Sequence, residues 1–185
     1  GVMVKIVTFL VPGKEEEHGP GALVTLDENI LGQPVFAIRM FGEELQKFCD
    51  KVGSMLETLP GAVASRDAAA LKALQGDCAQ VEAAEVELAN YAVELLSAGA
   101  TSERQAAEIT DLMSIVDAVG RIGSRCGEVA GLYGENLASK KPFSDEAREE
   151  LAESAAMVSE MYDAVLRFLS DQDAASEQVL DERRR

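Results

Sequence analysis

The chain has 185 residues, enough for one domain with short tails. Its residues are 47% hydrophobic and Ala-rich, only 5% aromatic and without Trp, which suits close-packed helices better than a strand-rich core. Thirty-three acidic against 17 basic residues give a formal charge of −16, which excludes a nucleic-acid partner and disfavours binding to an anionic membrane surface.

Val2–Val11 is apolar but short, and Lys5 interrupts it, so it does not span a bilayer. It lacks the basic start and small-residue cleavage site of a signal peptide. Gly1-Val2 does not look like a natural start, and the chain is expected to be cut from a longer one. Pro12–Gly21 follows as a linker, with Lys14-Glu15-Glu16-Glu17 as a solvated charge run. The only histidine, His18, lies in it and reads as surface decoration. Residues 1–25 are thus an apolar arm and acidic linker, and residues 26–185 form the folded part.

Leu26-Asp-Glu-Asn-Ile-Leu-Gly-Gln-Pro34 is a short extended lead-in, and a proline suits the first turn of a helix. The first helix carries Val35, Ile38, Phe41, Leu45, Phe48, Val52, Met55 or Leu56, and Leu59 at helical steps, and Pro60-Gly61 is expected to end it. The second is expected from about Ala64 to Ser97, with a stripe of Leu71, Leu74, Cys78, Val81, Glu85, Leu88, Ala92 and Leu95, broken at Gly99. Thr101 and Ser102 both offer an N-cap for the third helix, expected over about Glu103–Ser139, and Ser102 fits better because Gln105 three residues on completes a capping box where Thr101 has Arg104. Its stripe is Ile109, Leu112, Val116, Val119, Gly123, Cys126, Ala130, Tyr133 and Leu137, and Pro142 stops it. Ser144 caps the fourth helix, whose stripe is Ala147, Leu151, Ser154, Val158, Met161, Val165 and Phe168. Asp171-Gln172-Asp173 is expected to turn. Ala174–Arg185 would then begin a fifth helix on Val179 and Leu180, with Arg183-Arg184-Arg185 frayed. Three-four spacing and short connections predict an elongated, all-α, up-and-down antiparallel helical bundle.

Candidate chemistry is sparse. Cys49, Cys78 and Cys126 are far apart and sit on apolar stripes, as reduced core residues do. Gly120, Gly123, Gly127, Gly131 and Gly134 share one broad face of the third helix at a combined cost on the order of 5 kcal/mol relative to alanine. Tight helix packing is the favoured reason, and close approach to a bound ion the other. Glu85 interrupts an apolar seam and must find a partner, protonate or reach solvent. Antiparallel pairing sets it near Asp117, with Arg121 a turn away by Glu82. An ion-pair cluster of these four is favoured over a cation site of Glu85 and Asp117. A ferritin-like di-iron centre would need a helical histidine, and there is none. No catalytic group, nucleotide cradle or activated nucleophile is legible, so no enzyme activity, cofactor or catalytic residue is expected.

The order of these segments carries a resemblance. An apolar end, a charged linker, the Leu26-Asp27…Leu31…Pro34 lead-in and a long amphipathic helix resemble the junction in bacterial sodium/phosphate cotransporter-type membrane proteins, where the transport domain gives way to a cytoplasmic PhoU-like domain. Arg121-Ile122-Gly123, in the middle of the third helix, resembles the PhoU-family signature. In that family the next residue is an aspartate of a carboxylate motif that holds iron or zinc. Here it is Ser124, and the partner motif on the second helix falls near Cys78 and Glu82, so no metal site is carried over. The resemblance implies a non-catalytic regulatory or interaction domain on the cytoplasmic side of the bacterial inner membrane. Its implied partner is the membrane transport domain of the same polypeptide. Phe36, Met40 and Met157 are candidate contacts, in a homodimer among others. A free-standing PhoU-type regulator of phosphate uptake and a carboxylate metal-binding bundle are the alternatives.

Overall fold

The computed structural model describes residues 22–98 and 101–182, with side chains through residue 168. The arm Val2–Val11, the linker with His18, the break at Gly99 and Arg183-Arg184-Arg185 lie outside the described residues. Four α-helices follow a single 3-10 turn at Glu28–Ile30: α1 Pro34–Ser65, α2 Ala68–Ser97, α3 Glu103–Ala138 and α4 Asp145–Glu182. No strand occurs among the described residues.

Cross-contacts fix the directions. Lys51 of α1 meets Asp77 of α2 at 2.5 Å, and Phe41 stacks on Tyr91 at 6.3 Å, so α1 and α2 are antiparallel. The α3 residue Tyr133 donates its hydroxyl to the Val63 carbonyl at 3.2 Å, while Gly123 lies against Val52, so α3 runs parallel to α1. Tyr162 of α4 donates to the Cys49 carbonyl at 2.8 Å and Asp145 pairs with Arg66 at 2.6 Å, so α4 runs antiparallel to α1. The result is the expected up-and-down bundle, with α1 at its centre. Phe41, Leu45, Phe48 and Val52 of α1 are buried with Leu74, Val81 and Leu88 of α2 and Ile109, Leu112 and Val116 of α3.

Helix boundaries follow local chemistry except at Pro60. The α3 start is the capping box Ser102/Gln105, with both reciprocal bonds present. Pro34 stands at the first turn of α1, and Ser144 accepts the Ala147 N–H at 3.2 Å ahead of α4. Pro60-Gly61, by contrast, does not end α1. The helix runs on to Ser65 with Pro60 inside it, although a mid-helix proline lacks the N–H that would bond Leu56. Tertiary contacts outweigh that cost: Leu59, Ala62 and Val63 are buried, and Arg148 of α4 donates to the Ala64 carbonyl. The true stop is Arg66, left-handed at φ 57°, whose N–H bonds Val63 while that of Asp67 bonds Ala62. Asp67 then caps α2 by accepting the Ala69 and Ala70 amides, so α2 starts at Ala68 and not near Ala64.

Two expectations for the last helix are also corrected. Asp171-Gln172-Asp173 does not turn, and α4 continues to Glu182 without a separate fifth helix. The stripe read as its core face is mostly outside. Met161 is 69% exposed, Phe168 59% and Val165 57%, while Ala155, Ser159 and Tyr162, one residue further round, are buried against α1. Gly53 of α1 makes room for the Tyr162 ring, whose nearest atom would be 3.3 Å from an added methyl group.

The segment ahead of α1 is docked on the bundle from Val24 onward, so the end of the expected linker and the lead-in both pack against it. Val24 is buried, Thr25 donates its N–H to the Glu44 carboxylate at 2.9 Å, and Tyr91 donates its hydroxyl to the Asp27 carbonyl at 3.3 Å.

Candidate functional site

The α2–α3 seam holds most of the residues singled out from the sequence. Its width is set by glycine. Side chains of α2 enter the surface of α3 in register: Glu85 over Gly120, Val81 over Gly123, Cys78 over Gly127 and Gln75 over Gly131. A methyl group at position 127 would lie 2.5 Å from the Cys78 Cβ, and one at 123 would lie 2.9 Å from Val81 and 3.1 Å from Val52. Close packing against these compact side chains accounts for Gly123 and Gly127, whereas Gly120 and Gly131 face the flexible ends of Glu85 and Gln75, which can move aside. Gly134 differs, with nothing within 4 Å of an added methyl group.

Glu85 lies at this interface, as expected, but it is half-buried and not paired with Arg121. The guanidinium reaches Asp117 of its own helix at 3.4 Å, with both side chains largely exposed. Among the described residues the Glu85 carboxylate has no hydrogen bond or ion pair within bonding distance. Burial first, then the charges of Asp117 and Glu82, push its pKa above the usual carboxylate range, and Arg121 only partly offsets them. The four charges therefore sit in one electrostatic neighbourhood without closing into a bridged cluster. The expected ion-pair cluster is thus reduced to the one Asp117–Arg121 pair.

Beside them, the Cys78 thiol lies 3.5 Å from Glu82 and 3.9 Å from the Ser124 carbonyl. Among the described residues no three His, Cys, Asp or Glu side chains converge in a way that could hold a metal ion. The three cysteines are free; Cys49 and Cys126 are buried and Cys78 half-buried. Burial pushes the Cys49 and Cys126 thiols up to about 11, so at neutral pH they are protonated.

A second feature escaped the sequence. Because α4 leans on α1 and stands off from α3, an apolar groove of about 580 Å³ opens between the three helices. Leu56 and Leu59 form its floor, Ile122, Cys126 and Val129 its α3 wall, and Leu151, Ala155 and Val158 its α4 wall. Among the described residues, Arg121 and Arg125 are its only charged lining residues. Their heads are already engaged on α3, Arg121 with Asp117 and Arg125 with Glu128 at 2.6 Å. The sequence held one signal for the groove: α4 carries two adjacent stripes, the larger-residue one of Leu151, Val158, Met161 and Val165 and the smaller one of Ala152, Ala155, Ser159 and Tyr162.

Glu44 was missed as well. It is a buried carboxylate that accepts from Thr25 and from Lys47 at 2.7 Å, which fastens the lead-in to α1. Its place beside Phe41, Leu45 and Phe48 on the apolar face of α1 was the available sign.

Of the candidate contact residues, Phe36 and Met157 are exposed, and Met40 is half-buried with its sulfur accepting the Asp27 N–H at 3.3 Å. None of the described helices is long and apolar enough to cross a membrane. No protein-family model, no curated protein and no solved structure matches this chain.

Proposed function

We propose that this chain is a non-catalytic regulatory and interaction domain, PhoU-like, of a sodium/phosphate cotransporter-type membrane protein, on the cytoplasmic side of the bacterial inner membrane. It acts through helix surfaces on the transport domain of the same polypeptide. The observation that carries the reading is positional. The Arg121-Ile122-Gly123 segment that resembles the family signature lies where α3 faces both α1 and α2, with Val52 and Val81 both against Gly123. The docked segment ahead of α1 supports it too: Val24 is buried, and Thr25 and Asp27 are hydrogen-bonded to Glu44 of α1 and Tyr91 of α2.

The carboxylate metal-binding alternative has less support. Ser124 and Cys78 replace its expected carboxylates, and Asp117 is engaged by Arg121. The test of parentage is the gene. The reading expects several apolar spans encoded upstream of Gly1; an upstream sequence with none would defeat it in favour of a free-standing regulator.

A further inference from the structure

The outer face of α4 carries two neighbouring rows of opposite character. Met157, Met161, Val165 and Phe168 are exposed at helical steps and continue the apolar wall that Leu151 and Val158 give the groove. Glu146, Glu153 and Glu160 recur every seventh residue, which places them along the flank of that stripe away from the groove. None of the three has an ion-pair partner among the described residues. The nearby arginines do not cancel their charge. Arg121 and Arg125 are paired with Asp117 and Glu128 on α3, and Arg148 and Arg167 are turned to the Ala64 and Asp163 carbonyls. The surface is therefore apolar along its middle and carries uncompensated negative charge along one edge.

We propose that this surface docks a basic amphipathic helix from a cytoplasmic loop of the transport domain, a source that rests on the regulatory reading above. Charge selects the occupant. An anionic bilayer and a second copy of this acidic face are both repelled, whereas lysines or arginines along a docked helix meet Glu153 and Glu160. Cytoplasmic loops of membrane proteins are the ones enriched in those basic residues. Shape agrees with charge. The apolar face of an amphipathic helix seats in a groove of this kind, and unbranched methionines adapt to the side chains it brings. From Leu151 to Phe168 the surface is about 25 Å long at the rise of a helix, so it takes a partner of about five turns. Basic residues recurring about every 10 Å along that partner match the row of glutamates.

The test is fluorescence anisotropy of the full chain with a labelled amphipathic Leu/Lys peptide of about 18 residues, its lysines on one helix face. Binding at micromolar concentration is expected, at least about tenfold tighter than that of a scrambled peptide of the same composition. Met161→Ser and the double variant Glu153→Gln/Glu160→Gln should each weaken it by at least about fivefold, with helicity unchanged by circular dichroism. Glu87→Gln/Glu94→Gln removes the same charge from α2 and should leave binding unchanged. No binding, equal binding of the scrambled peptide, or equal loss in the two double variants would overturn the inference, the last two by showing generic charge attraction. In the intact parent, a photo-crosslinking residue at position 161 should form adducts with a Lys/Arg-bearing cytoplasmic segment; adducts to lipid or to a second copy would overturn it. An upstream gene sequence without apolar spans would defeat the regulatory reading and the assigned source, while the peptide result still judges the surface, so the two failures are distinguishable.

Discussion

The Glu85 carboxylate rests on the bare backbone of Gly120: a methyl group added to that glycine would sit 2.5 Å from the Glu85 carboxyl carbon. The pair shows how the α2–α3 seam is built. Two flexible side chains, Glu85 and Gln75, and two compact ones, Val81 and Cys78, occupy spaces along α2 that glycine leaves open on α3. Where the occupant is rigid, the glycine is required; where it can swing away, or where none exists, the glycine is dispensable.

Two substitutions test this rule in opposite directions. Gly127→Ala gains about 1 kcal/mol of helix propensity but forces a methyl group into the Cys78 Cβ, which cannot retreat, so it should destabilise by about 1–3 kcal/mol net. Gly134→Ala meets nothing and should stabilise by up to about 1 kcal/mol. Urea denaturation of both variants decides, and equal effects would show that backbone propensity alone is at work.

The raised pKa of Glu85 has a definite sign in stability. A carboxyl whose folded-state pKa exceeds its unfolded value contributes stability below the unfolded value near 4.5, and loses that contribution as pH rises through the folded value. At neutral pH its charge therefore opposes folding, mainly because burial disfavours it and Asp117 and Glu82 repel it. Glu85→Gln should stabilise at pH 7, by less than about 1 kcal/mol because solvent reaches the group, and the gain should vanish as pH falls below the usual carboxylate range. Denaturation midpoints from acid to neutral pH would show it. A loss at pH 7 would mean that Glu85 pairs with Arg121 after all, as expected from the sequence.

Glu44 should matter more than any surface acid. Glu44→Ala leaves the Thr25 amide without its acceptor and is expected to cost about 1–3 kcal/mol, with fast hydrogen exchange at Thr25. Glu44→Gln keeps an acceptor oxygen and should lose less. Unchanged Thr25 protection in Glu44→Ala would refute the docking of the lead-in through this side chain.

Pro60 is carried inside α1 by tertiary burial of Leu59, Ala62 and Val63. Pro60→Ala restores an N–H for the Leu56 carbonyl and should stabilise by about 1–3 kcal/mol, read from the thermal midpoint. Destabilisation would indicate that the proline shapes the α1 contact with α3.

What the sequence disclosed depended on the range of the interaction. Ser102 with Gln105 and Ser144 with Ala147 are local, so the starts of α3 and α4 were legible. The α3 glycines were legible as a face because their spacing is helical. Pro60 misled because its local penalty is opposed by Tyr133 and Arg148, which are distant in sequence. In α4 two stripes one residue apart compete, and size favoured the wrong one. The helix buries Ala155, Ser159 and Tyr162 because the Tyr162 hydroxyl reaches the Cys49 carbonyl and its ring fits Gly53, neither of which a local pattern reveals. Glu85 was placed correctly at the seam but given the wrong partner, since Asp117 lies one turn from Arg121 on the same helix.

The regulatory reading is tested most directly in the intact parent protein. Deleting Asp27–Arg185 and measuring sodium-dependent substrate binding and uptake in correctly inserted protein should leave binding intact while changing how uptake responds to regulation. Loss of substrate binding on that deletion would contradict the account, because the bundle would then form part of the transport site.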